Sequence, residues 1–297
     1  MLGIKMTGKQ SLARVALGAC VFLASSGLAL AASGQPVPWQ MGLQDSVTPI
    51  GEKIAEFHTL LMWIITLVTL FVMALLLVII VRFNEKANPV PSKTTHHTGL
   101  EVAWTVSPVL ILVIIAIPSF RLLKDQIVIP KADLTIKATG KQWYWSFEYA
   151  KDSGGIAFDA IMLSDEDRAK AVKAGAKAVD VPRLLAVDNE VVVPVGKVVR
   201  VQVTAADVIH AFAVQSFGVK IDAVPGRLNE TWFKATKEGI YYGQCQELCG
   251  KDHAFMPLAF RVVSQEKYDA WLKDAQKKFA MSPEPTRQVA ADIAIAR

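Results

Sequence analysis

Two cysteines, a histidine and a methionine lie close together near the end of the chain, in the segment CQELCGKDHAFM that begins at Cys245. The second cysteine, Cys249, is followed by His253 and Met256, and a further histidine, His210, lies upstream in ADVIHAF. Thiolate, imidazole and thioether are soft and borderline ligands, which favour copper over magnesium, calcium or manganese. The segment therefore predicts a copper site.

The number of thiolates indicates which kind of copper site this is. An electron-transfer site with one copper uses one cysteine, two histidines and a weak axial methionine, whereas this segment has two cysteines. Two thiolates on one short loop can instead bridge two copper ions, with one histidine terminal on each ion. Met256 and a backbone carbonyl would then supply the weak outer ligands. Such a site is a one-electron relay, and it indicates a role in respiration.

Two other interpretations of these residues stay open from spacing alone. Cys245 and Cys249 could form a disulfide, although so small a loop restricts the unfolded chain little. A disulfide also gives no reason for His253 and Met256 to follow at loop spacing. Two cysteines and two histidines could instead hold zinc, but structural zinc sites rarely include methionine.

The same segment and several other stretches resemble subunit II of haem-copper cytochrome c oxidase, in its bacterial form. The stretches are GQCQELCGKDHAFMP with VTAADVIHAFAV before it, RFNEKANPVPSKTTHHTGLEVAWTVSP from Arg82, TGKQWYWSFEY from Thr139 and FGVKIDAVPGRLNETWF from Phe217. The resemblance covers roughly residues 55–275. The chain departs from the family at Gln246, where a serine is usual, but this side chain is not a ligand in the family pattern.

The resemblance implies a role for each ligand of a dinuclear copper A centre with two copper ions. His210 and His253 would be the terminal imidazoles, Cys245 and Cys249 the bridging thiolates, and Met256 the weak axial ligand.

Glu247, between the two cysteines, has two implied roles. Its backbone carbonyl would complete the second copper. Its carboxylate would reach a magnesium or manganese ion held mainly by subunit I, which suits a hard oxygen ligand. Without the resemblance, Glu247 would be interpreted as a solvated loop carboxylate.

The resemblance also implies where cytochrome c docks. Trp143, the first tryptophan of the run WYW, would be exposed and would receive the electron, although such a run is most often packing of large rings. Cytochrome c is basic, so its docking face should be acidic, for steering and register more than for affinity. Four carboxylates match the family's docking positions, and each alone would be an ordinary solvated charge: Glu148, Asp159, Asp188 and Asp207.

Glu101 opens the second long apolar stretch of the chain. A carboxylate at a helix N-terminus is stabilised by the helix dipole, which is a sufficient structural explanation. The family position that it matches lies at the mouth of a proton channel into subunit I. The resemblance therefore implies a role for Glu101 at that entrance.

Composition and the apolar stretches indicate a membrane protein. The chain has 297 residues, 52% of them hydrophobic, and a mean hydropathy of +0.33, which is high for a soluble protein. Residues 57–81 and 102–120 carry no full charge, and each stretch can cross a hydrocarbon core of roughly 30 Å. Two buried core helices are the weaker alternative. The net charge of +5 includes no long basic run, so nucleic acid is not an expected partner.

Basic residues outnumber acidic ones in the loop at about 82–100, which places this loop in the cytoplasm by the positive-inside rule. We therefore expect a two-helix hairpin over residues 57–121 in the bacterial inner membrane, in contact with lipid. Residues 33–56 and everything after the hairpin would then lie in the periplasm.

The N-terminus predicts a removable signal peptide over residues 1–32. Basic residues precede an apolar stretch at 15–30, which ends in the small residues of an Ala-x-Ala cleavage site. An uncleaved membrane helix is the alternative, but the stretch is short and rich in Gly, Ala and Ser. Cys20 has a faint similarity to a lipidation site, which the short apolar run before it weakens.

From about residue 122 the pattern changes to short β-rich runs separated by turn signals, which indicates a sandwich or barrel. The predicted strands are 132–139, 143–149, 191–194, 198–204, 211–214, 231–235 and 258–263. The resemblance narrows the fold to an all-β cupredoxin-like Greek-key barrel over residues 122–280. Residues 165–178 predict a surface helix, 264–279 an amphipathic terminal helix, and 281–297 a disordered tail.

The resemblance as a whole implies subunit II of an aa3-type cytochrome c oxidase. Such a chain accepts electrons from cytochrome c and passes them to haem in subunit I, with subunit III as a further partner. Oxygen reduction and proton pumping would belong to subunit I, so this chain would not be catalytic alone. A quinol oxidase subunit would lack the copper ligands, a nitrous oxide reductase would lack the hairpin, and a copper chaperone would lack the WYW run.

Overall fold

The structure is a computed structural model that describes residues 34–279. The predicted signal peptide, Cys20 and the predicted tail lie outside the described residues.

Two long apolar helices pack against each other as a hairpin. Helix α1 spans Pro49–Arg82 and helix α2 spans Thr98–Ile127, and each contains a stretch long and apolar enough to cross a membrane. Their apolar side chains in these stretches are exposed all round, so lipid or other helices must cover them. Both helices extend beyond the predicted apolar spans, because capped polar turns continue each helix past its charge-free stretch.

The helix ends nearest the β-domain are fixed to it by polar contacts. Thr48 caps α1: its hydroxyl accepts from the Gly51 N–H at 3.0 Å and donates to the Phe217 carbonyl at 2.7 Å. Near the end of α2, the Asp125 carboxylate lies 2.6 Å from Lys53 Nζ of α1, and its carbonyl accepts from Trp232 Nε1 at 3.2 Å. The hairpin and the β-domain are therefore joined at one end of both helices.

Within the described residues, ten strands form the β-domain as two five-stranded sheets. They are β1 Leu134–Lys141, β2 Tyr144–Tyr149, β3 Ala157–Ala160, β4 Val191–Pro194, β5 Val199–Ala205, β6 His210–Val214, β7 Val219–Ala223, β8 Asn229–Phe233, β9 Gly239–Gln244 and β10 Pro257–Val263. One sheet has the order β3-β2-β1-β5-β8 and the other β4-β10-β9-β6-β7. The predicted combination of a helical hairpin with an all-β domain is confirmed.

The core between the two sheets is built from alternating and fully buried strands. In β1 and β5 every second side chain is buried, whereas β4 and β6 are buried throughout. Phe260 of β10 lies at the centre of an aromatic cluster, with the rings of Phe147, Phe212, Phe217 and Phe233 between 5.6 and 6.1 Å from its own. This rigid core supports the loops at both ends of the strands.

Two further helices differ in how well they were predicted. Helix α3 spans Asp165–Lys173 and ends before the predicted residue 178, because Gly175 follows its cap with a φ of +105°, a conformation that stops helices. Helix α4 spans Gln265–Phe279, close to the prediction, and buries Tyr268 and Ala275 against the β-domain.

Candidate metal centre

The predicted ligands all lie at one end of neighbouring strands of one sheet. His210 begins β6, Cys245 directly follows β9, and Met256 directly precedes β10. Strands β6 and β9 are paired in the sheet, and β9 is paired with β10. The loop that joins β9 to β10, with Cys249 and His253, is thereby held over the start of β6.

The structure brings the side chains of the five predicted ligands into contact. The two sulfur atoms of Cys245 and Cys249 lie 3.9 Å apart. His210 Nδ1 lies 3.9 Å from the Cys245 sulfur, and His253 Nδ1 lies 3.5 Å from the Cys249 sulfur. Met256 Sδ also lies 3.5 Å from the Cys249 sulfur, and all these side chains except the half-buried His253 are buried.

The Glu247 backbone lies where the sixth donor was expected, since its carbonyl oxygen is 3.3 Å from the Cys245 sulfur. Glu247 is exposed on the surface of the loop, next to Leu248, whose side chain is 79% exposed.

The geometry is that of two thiols and not of a disulfide. Cys245 and Cys249 are free, and the sulfur separation of 3.9 Å is far beyond the roughly 2.05 Å of an S–S bond. The two sulfur atoms are nevertheless close enough to bind the same metal ion.

A single tetrahedral zinc also fits the geometry poorly. With Zn–N near 2.0 Å and Zn–S near 2.3 Å, the four ligand atoms would lie about 3.3–3.8 Å from one another. Ligand atoms of His210, Cys245 and Cys249 all lie within 4.8 Å of one another, but among the described residues His253 does not join this group. The two imidazoles therefore flank the sulfur pair instead of converging on one point.

The two thiols differ sharply in acidity. Burial acts to raise the pKa of Cys245, but hydrogen bonds from His210 and from the backbone at Ala211 and Glu247 lower it to about 6. Burial and the neighbouring Cys245 charge raise the pKa of Cys249 to about 12. The Cys245 thiol therefore ionises more readily than the Cys249 thiol, and a bound cation would favour the ionised form of both. The donor set therefore fits a metal centre.

Asp207 was predicted only as a docking carboxylate, and the structure places it against His210. Its Oδ1 lies 2.9 Å from His210 Nε2, which leaves Nδ1 to face the Cys245 sulfur. Asp207 also accepts from the backbone N–H groups of Gln142 at 2.8 Å and Val208 at 2.7 Å. A carboxylate on the outer ring nitrogen fixes the tautomer and orientation of a metal-binding histidine. The Asp-x-x-His spacing was the available signal for this contact.

This contact changes the pKa of both partners. Burial disfavours the charged form of both side chains. Hydrogen bonds from His210 and from the backbone nevertheless lower the pKa of Asp207. Hydrogen bonds to Cys245 and Asp207 likewise raise the pKa of His210.

The two tryptophans of the WYW run lie in different environments. Trp143 is half-buried instead of fully exposed, and its indole Nε1–H donates to the Cys249 carbonyl at 3.2 Å. Trp145 is fully buried, with its ring edge-on to Phe212 at 5.8 Å and to His210 at 6.1 Å. The run therefore covers one flank of the metal centre, and the half-buried Trp143 lies between the surface and the Cys249 carbonyl.

The other three predicted docking carboxylates each have a partner on the protein. Glu148 forms an ion pair with Lys137 at 2.9 Å, and Asp159 lies 4.0 Å from Lys141. Asp188 accepts from the Ile161 N–H at 2.7 Å. Glu148 and Asp159 share the outer face of the β1–β2–β3 sheet with the two lysines, so this surface is mixed in charge.

Glu101 lies far from this centre. It is in the first turn of α2, and its carboxylate accepts from the His97 N–H at 3.2 Å, while the β-domain follows the other end of the helix. At 1.5 Å per residue, Glu101 and Ile127 are roughly 40 Å apart along the helix axis. The structure therefore shows a capping contact for Glu101 and separates it from the predicted ligands.

Comparison with known proteins gives one consistent family. The family model described as the transmembrane domain of cytochrome c oxidase subunit II matches residues 36–122, and the model of its periplasmic domain matches residues 134–263. A probable cytochrome c oxidase subunit 2 of Rickettsia bellii is 50% identical over 245 residues, which is 82% of this chain and 87% of the relative. Cytochrome c oxidase subunit 2 of Cereibacter sphaeroides is 43% identical over 287 residues, 91% of this chain and 93% of the relative.

A solved structure adds a further match over the β-domain. The periplasmic domain of subunit II of cytochrome oxidase of Bradyrhizobium japonicum is 62% identical, covers 52% of this chain and 100% of its own, and has a TM-score of 0.45. The family matches confirm the predicted resemblance, the cupredoxin-like fold of the β-domain and a membrane location, and the family implies a copper centre. The chain belongs to the cytochrome c oxidase subunit II family and is a subunit of a haem-copper oxidase, an oxidoreductase complex.

Proposed function

We propose that this chain receives single electrons from cytochrome c at a dinuclear copper A centre and delivers them to haem in subunit I. The observation that carries the proposal is the pair of free, buried thiols 3.9 Å apart, with an imidazole nitrogen close to each. Bound copper would supply a one-electron carrier there, since soft thiolates and imidazoles suit this metal. Oxygen reduction and proton pumping follow in subunit I.

The ligand roles follow from the contacts. Cys245 and Cys249 would hold the two copper ions as shared thiolates, and His210 and His253 would supply the terminal imidazoles, consistent with the contacts of their side chains. Met256, whose sulfur lies 3.5 Å from that of Cys249, would supply the weak axial thioether. Three of the buried ligands, His210, Cys245 and Met256, start or flank strands of a packed sheet, so their positions should change little when the charge of the centre changes.

Glu247 has two proposed roles, one at the copper centre and one at the boundary with subunit I. Its carbonyl supplies the remaining donor near Cys245, at 3.3 Å from the sulfur. The exposed position of the residue allows the carboxylate to reach a magnesium or manganese ion held mainly by subunit I, and carboxylate oxygen is the donor that these hard cations prefer.

The proposed surroundings are the bacterial inner membrane and two partner subunits. Subunit I, subunit III and lipid would cover the apolar faces of α1 and α2, which are exposed in the isolated chain. Arg82, Lys86 and Lys93 outnumber Glu85 between the helices, which supports a cytoplasmic loop and a periplasmic β-domain. Signal cleavage near residue 32 and a two-pass topology are parts of the same proposal.

Loading the purified full chain with copper tests the proposed function. We expect two copper ions per chain, a purple oxidised protein, and an EPR signal in which one unpaired electron is shared by two equivalent copper nuclei. Two thiolates shared between two copper ions would allow the unpaired electron to spread over both. A four-line signal from one copper, or a colourless protein with Cys245 and Cys249 joined as a disulfide, would contradict the proposal.

Glu101 is proposed to lie at the entrance of a proton path into subunit I, and two substitutions separate this role from helix capping. Glu101→Gln keeps an acceptor for the His97 N–H but cannot carry a proton, whereas Glu101→Ala removes both functions. Proton uptake predicts slow oxygen consumption in both variants, with a normal copper spectrum and normal first electron transfer from cytochrome c.

Capping alone predicts a different pair of results. Glu101→Gln would then match the unsubstituted oxidase, and Glu101→Ala would lose only about 0.3–1 kcal/mol of helix stability. Steady-state oxygen consumption beside single-electron injection in the same preparation is the measurement, and normal turnover in both variants would rule out the proton role.

A further inference from the structure

Two hydrogen-bond donors converge on one backbone carbonyl of the metal-binding loop. Trp143 Nε1 donates to the Cys249 carbonyl at 3.2 Å, and Gln142 Nε2 donates to the same oxygen at 3.3 Å. Cys249 is a proposed ligand, so the indole of Trp143 is one hydrogen bond away from a ligand residue.

Gly250 makes this approach sterically possible. Its φ is +120°, which favours glycine, and a Cβ placed on it would lie 3.0 Å from Trp143 Cζ2 and 3.4 Å from Trp143 Nε1. The same Cβ would lie 3.5 Å from Gln142 Nε2. A side chain at this position would therefore press on the indole at Cζ2, whereas its distance to the glutamine amide is an ordinary van der Waals contact.

Gln142 is held at both of its ends. Its backbone N–H donates to Asp207 Oδ2 at 2.8 Å, while the other oxygen of that carboxylate lies 2.9 Å from His210 Nε2. Its side chain reaches the Cys249 carbonyl, so Gln142 connects the His210 side of the centre to the Cys249 side. Trp143 follows directly in the chain and is positioned by the same contacts.

We propose that Gln142 and Gly250 are positioning residues that hold the Trp143 indole on the Cys249 carbonyl, so that an electron received at Trp143 reaches the metal centre through this one hydrogen bond. The inference rests on the proposed function of Trp143. The transfer moves one electron: the ferrous haem of cytochrome c becomes ferric, the centre gains the electron, and no bond is made or broken. Displacing the indole opens a gap in this path without removing any ligand.

The first test observes the indole itself and needs no turnover. In the full chain, copper-loaded, fully reduced and labelled with ¹⁵N in the tryptophan rings, the Trp143 N–H resonance is identified by its loss in Trp143→Gln. Gly250→Ala and Gln142→Leu are expected to shift this resonance and speed its exchange with water, because the bond to Cys249 is broken or weakened. Gly196→Ala is the matched control, since Gly196 also has a positive φ, +76°, but a Cβ there meets no described atom within 4 Å.

The second test measures electron injection from cytochrome c into the assembled oxidase. Gly250→Ala and Gln142→Leu are expected to slow transfer within the bound complex severalfold at every ionic strength, with unchanged association and an unchanged copper spectrum. Gly196→Ala is expected to transfer at the unsubstituted rate.

The variants distinguish the two proposals. If Trp143→Gln transfers at the unsubstituted rate, the proposed role of Trp143 is wrong. If Trp143→Gln is slow but Gln142→Leu is normal in both tests, Trp143 keeps its role and the positioning inference is overturned. If Gly250→Ala fails to bind copper, Gln142→Leu decides alone, because it leaves the loop backbone and the Asp207 contact in place.

Discussion

Cys249→Ser is expected to abolish the dinuclear centre and, in the assembled oxidase, turnover with it. The Cys249 sulfur is in contact with three of the other proposed ligands, namely the Cys245 sulfur at 3.9 Å and His253 Nδ1 and Met256 Sδ at 3.5 Å each. A serine hydroxyl is a hard donor that does not ionise at neutral pH, so it cannot bridge two soft copper ions. Copper content, the EPR spectrum and oxygen consumption measure the loss.

Met256→Leu is the matched control for this loss. An axial thioether is weak, so the variant should retain two copper ions and the shared-electron signal while its reduction potential shifts. Leucine also preserves most of the buried volume of Met256, which limits the packing cost to less than about 1.5 kcal/mol. Two copper ions with an unchanged spectrum in Cys249→Ser would show that Cys249 is not a bridging ligand.

Trp143→Gln is expected to slow electron transfer from cytochrome c severely while leaving association nearly intact. The substitution removes the aromatic ring that connects the surface to the Cys249 carbonyl, but it changes no charge. Stopped-flow kinetics across a salt series should therefore show a slow transfer step at every ionic strength. A change confined to the association step would make Trp143 a packing residue.

Glu148→Gln is the contrasting substitution in the same salt series. It removes a carboxylate that pairs with Lys137, and so leaves an unpaired cation on the face where a basic partner would dock. Association should weaken most at low ionic strength and approach the unsubstituted value as salt rises, because the Debye length falls to about 8 Å near 0.15 M. The transfer step within the complex should stay normal.

The ligand set was predictable because most of it is local in sequence. Four of the five proposed side-chain ligands lie in the single segment CQELCGKDHAFM, where spacing alone places soft donors on one loop, and the fifth, His210, lies 35 positions before Cys245. The apolar helices were predictable for a similar reason, since hydropathy is a property of a continuous stretch.

Some elements carried too little local signal to be predicted. Strand β3 has only four residues and β9 contains Gly239 and Gly243, so neither shows the alternation typical of a half-buried strand. Strand β7 does alternate between apolar and polar residues, but over five residues only. In the fold, β3 pairs with β2, β7 with β6 and β9 with β10, and this pairing stabilises all three. Cross-strand packing therefore outweighs weak local propensity at these positions.

The sequence by itself determined the family, the two apolar helices, the all-β domain and the chemical type of every proposed ligand. Only the tertiary structure decided that Asp207 orients His210, and that Gln142, Trp143 and Gly250 meet at the Cys249 carbonyl. Gln142 is separated from Asp207 by 65 positions and from Cys249 by 107. Residue types and local spacing indicate which atoms can bind a metal. Contacts over such separations depend on how the two sheets pack, because packing alone sets which loops meet at one end of the domain.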